Sequence, residues 1–136
     1  MNLAGVFDRE TISKIIPKPG NVVILITCPE NDFPILEDGW DDVLRLRFDD
    51  VNQKSDTSFS EYEAKKILNF VIKNFDKYVF ISCDAGLSRS AGVFVALDWL
   101  FNHKELIHLN AKYPLHNTYV RDKIIETWYK GIWHDN

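Results

Sequence analysis

The stretch Ile81-Ser82-Cys83-Asp84-Ala85-Gly86-Leu87-Ser88-Arg89-Ser90-Ala91-Gly92 decides how this chain folds. Ahead of it, Lys77-Tyr78-Val79-Phe80-Ile81 is aromatic and β-branched, which suits a buried strand. Behind it, residues 91–101 carry apolar side chains at helical spacing, with neither Gly nor Pro after Gly92. The segment between them is a tight strand-to-helix connection. Such a loop aims consecutive backbone N–H groups inward, and the following helix adds its positive N-terminal end, so an oxyanion can be held largely without side chains. Gly86 provides the permissive backbone that the turn requires. Arg89 adds a planar cation able to pair two phosphate oxygens, and the same field favours a thiolate at Cys83. Singly, Cys83 reads as a small hydrophobe, Gly86 as a turn residue and Arg89 as a surface cation. Their fixed offsets, with a hydroxyl directly after the arginine, favour a nucleophile beside an anion clamp.

Upstream, residues 3–7 predict a short strand, and Asp8 is a candidate N-cap for a helix reaching Ile16, stopped by Pro17 and Pro19. Val22-Val23-Ile24-Leu25-Ile26 is a continuous apolar run bounded by turn residues, the pattern of a strand covered on both faces. In residues 43–48, Leu44, Leu46 and Phe48 alternate with Arg45 and Arg47, as in a half-buried or edge strand. Ser60 and Glu63 form a capping-box pair, followed by an apolar helix face of Ala64, Ile67, Leu68, Val71, Ile72 and Phe75. A strand, a long helix and the strand at 78–82 make a βαβ unit, whose strands run parallel and end at one edge of the sheet. That edge is where open α/β folds bind ligands, so Asp49 and Asp50 are expected beside Cys83. Residues 104–111 predict a short helix, Tyr113-Pro114-Leu115-His116 a turn, and 118–130 a last helix with Val120, Ile124, Ile125 and Trp128 facing inward. The layout is a three-layer α/β sandwich around a mostly parallel sheet of four to five strands.

With 136 residues, 46% hydrophobic and 26% charged, the chain reads as one soluble domain, residues 1–136. A net charge of −4 argues against a broad nucleic-acid or anionic-membrane footprint. The N-terminal residues show no secretory signal, and the longest apolar run is too short to span a bilayer. Two cysteines make no disulfide framework, and a nucleophilic thiol must stay reduced, so a cytoplasmic protein is expected.

Residues 83–90 resemble the signature loop of the cysteine-dependent protein tyrosine phosphatases, and Gly86-Leu87-Ser88-Arg89-Ser90 is similar to the dual-specificity branch in particular. Leu46-Arg47-Phe48-Asp49-Asp50-Val51 resembles that family's acid loop, and Pro114-Leu115-His116-Asn117-Thr118-Tyr119-Val120 the opening of the last helix in small bacterial and phage-like members. The resemblance implies a phosphatase fold over residues 22–125 and hydrolysis of phosphomonoesters through a cysteinyl-phosphate. It assigns Cys83 as nucleophile, Arg89 and the N–H groups of Asp84, Ala85, Gly86, Leu87, Ser88 and Arg89 as the phosphate cradle, and Ser90 as the group that steadies the departing thiolate. Asp50 is the implied general acid, with Asp49 as the alternative. Where many members carry a His before the nucleophile, this chain has Ser82, which removes one contributor to thiolate stability.

No long insertion is present to build a deep phosphotyrosine slot, so a shallow cleft for phosphotyrosine, and also phosphoserine or phosphothreonine, is expected on a protein substrate. Asp84, Ala85 and Leu87 add no cation, which argues against phosphoinositides and polyphosphorylated nucleotides. The alternatives are a phospho-binding pseudophosphatase, a phosphatase for a lipid, inositol or RNA 5′-phosphate, and a rhodanese-like sulfur transferase, which leaves the acid pair unexplained. No metal or other cofactor, no nucleic acid, no membrane and no second copy of the chain is expected.

Other residues carry weaker signals. Cys28, after the apolar run at 22–26, reads as a buried structural thiol rather than a redox partner of Cys83. His103 and His108 lack a third ligand and read as surface residues. Asn31, Asp32 and Phe33 read as ordinary loop at the cleft rim, Trp99, Trp128 and Trp133 as core or near-core aromatics, and Asn117 as a tether near the signature loop.

Overall fold

A computed structural model describes residues 1–131. Their elements are β1 (Asn2–Phe7), α1 (Arg9–Lys14), β2 (Asn21–Thr27), β3 (Asp42–Arg47), α2 (Glu61–Lys73), β4 (Tyr78–Ser82), α3 (Arg89–Asn102), α4 (Leu106–Lys112) and α5 (Thr118–Lys130). Trp133 lies outside the described residues. The strands form one parallel sheet in the order β1-β4-β2-β3. β3 is an edge strand, as its alternation predicts, and the apolar β2 is interior.

Alternate residues of β2 build the two faces. Val22, Ile24 and Ile26 join Leu46, Val79 and Ile81 in the larger core, with Ile67, Leu68 and Val71 of α2, Val93 and Leu97 of α3, and Val120 and Ile124 of α5. Val23 and Leu25 face the other way, against Ile12 of α1, with Phe33, Leu36 and Trp40 from the β2–β3 loop packed on them. This gives helices, sheet, then a short helix and a loop. No helix among the described residues is long and apolar enough to cross a membrane.

Two local expectations need correction. On α2 the inward face is Ala64, Ile67, Leu68, Phe70 and Val71. Ile72 and Phe75 lie toward solvent, 37% and 46% exposed, because Phe70 turns into the core that Ile72 was expected to fill. Ser60 occupies the N-cap of α2, but its hydroxyl bonds the Glu63 carboxylate rather than a backbone N–H, so the capping box is only half made.

α3 crosses α5 closely. A methyl group on Gly92 would lie 2.5 Å from the Asn117 carbonyl oxygen and 3.2 Å from Val120 Cβ. In an open helix, Gly→Ala gains about 1 kcal/mol, whereas overpacking a tight contact costs about 1–3 kcal/mol. Gly92→Ala is therefore expected to lower the thermal and urea midpoints; a raised midpoint would show that the two helices do not approach this closely.

Candidate active site

The β4–α3 loop is sealed against the end of β1. The Cys83 N–H donates to the Phe7 carbonyl at 3.3 Å, and the Arg9 N–H to the Asp84 carbonyl at 3.2 Å. Gly86 has φ +69°, and a methyl there would meet Asp8 N at 2.6 Å, so both the left-handed conformation and the space demand glycine. α3 begins at Arg89, two residues before the apolar periodicity sets in, which puts Arg89 and Ser90 in its first turn. Both are buried, as is Cys83, whose Sγ lies 3.0 Å from Ser90 Oγ. Among the described residues, no backbone N–H from Asp84 to Arg89 has an acceptor. Six donors at a helix N-terminus therefore remain free for an anion.

Arg89 reaches back under the sheet edge. Its Nη1 donates to the Phe48 carbonyl at 2.9 Å and to Cys28 Sγ at 3.4 Å, and its Nη2 to Asp84 Oδ2 at 3.2 Å. Burial works against the charged form, but the sulfur and carboxylate neighbours Cys28, Cys83 and Asp84 outweigh it and hold the guanidinium above its ordinary pKa. Its Nε is buried with no partner among the described residues. A bound oxyanion would satisfy that donor, whose isolation costs about 1–3 kcal/mol.

The two candidate acids part company after β3. Phe48 is buried against Phe59, ring centroids 4.8 Å apart, so the chain leaves the sheet in a fixed direction. Asp49 turns to Thr57, accepting from its hydroxyl and donating its own N–H to the Thr57 carbonyl at 2.8 Å. Asp50 turns to the signature loop, where its Oδ1 accepts from Ser88 Oγ at 2.7 Å and from Asn117 Nδ2 at 2.8 Å. Asn117 is the tether that the sequence suggested. Its amide also donates to the Val51 carbonyl at 3.0 Å, and its Oδ1 caps α5 at the Val120 N–H, 3.1 Å away.

Asp84 is the hub of the opposite side. Its Oδ1 accepts from Thr27 Oγ1 at 2.8 Å and Arg9 Nη1 at 3.4 Å; its Oδ2 accepts from Arg89 and, at 3.5 Å, from the Cys28 thiol and Asn31 Nδ2. Cys28 is thus a half-buried member of the site and not the enclosed core thiol expected; burial raises its pKa despite the nearby Arg89. Asp32 offers its carbonyl to Arg9 Nη2, and Phe33 stacks under the Arg47 guanidinium, 4.3 Å away, while lining a cleft of about 850 Å³ that opens onto Asp84 and Ala85. These three loop residues do more than cap a turn. Cys28, Glu30 and Asp49 have ligand atoms within 4.8 Å of one another, but the Arg89 cation on the same sulfur and the commitment of Asp49 to Thr57 disfavour a metal there. His103 and His108 are exposed. Trp128 packs on the core margin, and Trp99 meets the Tyr129 ring edge-on, centroids 6.3 Å apart.

Sequence reasoning missed Arg9 and Thr27. Both stand at the sheet's carboxyl edge, immediately past β1 and at the end of β2, and that position was the one available signal.

The chain has the fold of the dual-specificity and tyrosine phosphatases. It is similar to the human tyrosine phosphatase-like serine/threonine/tyrosine-interacting protein, with 18% identity over 94% of this chain and 91% of that one and a TM-score of 0.62. It also matches human DUSP28, with 13% identity over 95% and 94% and a TM-score of 0.58. PTPMT1 in complex with PI(5)P matches with 22% identity over 81% and 77% and a TM-score of 0.55. No protein-family model matches the sequence, and no curated protein matches it.

Asp84 is partly buried, which opposes ionisation, but its bonds from Thr27 and its pairing with Arg89 hold its pKa below the ordinary carboxylate value of 3.8. A depressed folded-state pKa gives stability that is present above the unfolded value and lost as pH falls through the folded one. The urea-midpoint gap between wild type and Asp84→Asn is therefore expected to be open at neutral pH and to close on acidification below about pH 4. A gap that widened with acid would contradict this pairing.

Proposed function

We propose that the chain is a cysteine-dependent phosphatase that hydrolyses phosphomonoesters, phosphotyrosine first and phosphoserine or phosphothreonine as well, on protein substrates. One observation carries this reading beyond a phosphate-binding loop: Asp50 is bonded to Ser88 of the same loop that holds Cys83, so a carboxyl group stands beside the nucleophile's cradle. A pure binding module has no use for that acid, and a sulfur transferase leaves it idle.

In the first step, the Cys83 thiolate attacks phosphorus while the loop N–H groups and Arg89 hold the phosphoryl oxygens. The ester P–O bond breaks, its electron pair goes to the leaving oxygen, and Asp50 supplies the proton. In the second step, the Asp50 carboxylate takes a proton from water, the resulting oxygen nucleophile attacks the cysteinyl-phosphate, and the S–P bond breaks. Ser90, 3.0 Å from the sulfur, donates to the returning thiolate in place of any help from position 82, where Ser82 Oγ instead faces the Asp8 carbonyl at 3.4 Å. Both described cysteines are free thiols, which suits a reducing, cytoplasmic setting, and residues 1–136 act as one catalytic domain without a metal or other cofactor.

A second reading, a phosphate carried on a lipid, has a specific observation behind it. Leu87 and Leu115, 56% and 64% exposed, line an apolar hollow with Lys112 directly beside Gly86. A panel of phosphopeptides and phosphoinositide micelles separates the two readings.

Cys83→Ser is expected to abolish turnover of an aryl phosphate while retaining oxyanion binding. Asp50→Asn is expected to slow a poor leaving group by about 10²- to 10⁴-fold and to erase the basic limb of the pH–rate profile, whereas Asp49→Asn keeps that limb. Substantial turnover by Cys83→Ser would reject the covalent mechanism.

A further inference from the structure

We propose that Arg9 is a positioning residue for the phosphate cradle, neutralising the loop carboxylate of Asp84 so that the charge of Arg89 remains available to the substrate's phosphoryl group. This rests on the phosphatase reading above. Asp84 lies between two guanidinium groups, with Oδ1 3.4 Å from Arg9 Nη1 and Oδ2 3.2 Å from Arg89 Nη2. A carboxylate in the first position of a loop built for a dianion opposes its ligand twice, by repelling it and by occupying the cation meant for it.

The carboxylate nevertheless has a use. Through Thr27, Asn31 and Arg89 it ties the loop to β2 and the β2–β3 loop, and with the Phe48 carbonyl it fixes the plane of the Arg89 fork while Nε has no partner among the described residues. Arg9 removes the electrostatic penalty of that brace. Two cations against one anion leave the cluster a single positive charge; without Arg9, Asp84 and Arg89 form a closed neutral pair. Arg9 is itself held by Thr27 Oγ1 at 3.3 Å and by the Asp32 carbonyl, so its charge stays where Asp84 needs it. It acts through Asp84 and, being about one-third exposed, in a setting where salt attenuates the effect.

The test is calorimetric titration of inorganic phosphate or tungstate into the whole chain as wild type, Arg9→Gln, Asp84→Asn and the double variant, at low and high salt. Arg9→Gln is expected to bind about two- to fivefold more weakly than wild type, with the deficit shrinking as salt rises. Asp84→Asn is expected to bind at least as tightly as wild type, and the double variant to recover wild-type affinity, because removing the carboxylate removes the need for Arg9. In aryl-phosphate turnover, the loss in Arg9→Gln falls on KM and leaves kcat. Arg9→Gln binding as well as wild type would overturn the proposal. So would a double variant as weak as Arg9→Gln, since a strut that merely holds the Asp32 loop is not rescued at Asp84. Asp84→Asn reads the same electrostatics if Arg9→Gln does not fold, and weaker binding by it also overturns the proposal. A wild-type chain that holds no oxyanion at all would overturn the phosphatase reading itself, a result distinct from the others.

Discussion

Two close backbone approaches hold the β4–α3 loop. At Gly86 the loop rests on the backbone of Phe7 and Asp8, and at Gly92 the first turns of α3 rest on the Asn117 carbonyl. Neither contact leaves room for a Cβ without displacing main-chain atoms. With the loop pinned between the end of β1 and the start of α5, the N–H groups from Asp84 to Arg89 have no acceptor among the described residues. A looser loop would satisfy those donors locally.

The parallel sheet then brings the remaining groups to that site. Thr27 closes β2, the Phe48 carbonyl follows β3, Cys83 follows β4 and Arg9 opens the helix after β1, so four carboxyl strand ends supply one cluster. Because β4 sits between β1 and β2, Cys83 emerges at an interior strand, with partners available on both sides. One side is acidic and fastened by Asn117; the other is a braced network of two arginines around Asp84. The loop thus lies between Asp50 on one side and the charge network around Asp84 on the other.

Much of this was legible in the sequence because local patterns carried it. The apolar run at 22–26 has the pattern of a strand covered on both faces, and the alternation at 43–48 that of a half-buried or edge strand, as found. The Asp8 cap lies where a short polar residue precedes helical periodicity, and its side chain accepts the Thr11 N–H. The failures were of two kinds. Helical periodicity did not distinguish Phe70 from Ile72, since both are apolar and only the position of α5 and the sheet decides which of them is enclosed. Cys28 reads as core because thiols are often buried, yet its strand ends at the sheet edge where Arg89 arrives.

The sequence by itself determined the strand, loop and helix around Cys83, the fixed offsets of Cys83, Gly86 and Arg89 within it, and the parallel α/β layout, because these follow from side-chain periodicity and from offsets within a few residues. Tertiary structure alone decided which aspartate meets the loop and which groups surround Asp84. Those outcomes depend on Phe48 packing against Phe59 and on an arginine 75 positions away from its carboxylate partner. Contacts between segments so distant in the chain leave no periodic trace in it; they are set by how the strands order themselves in the sheet.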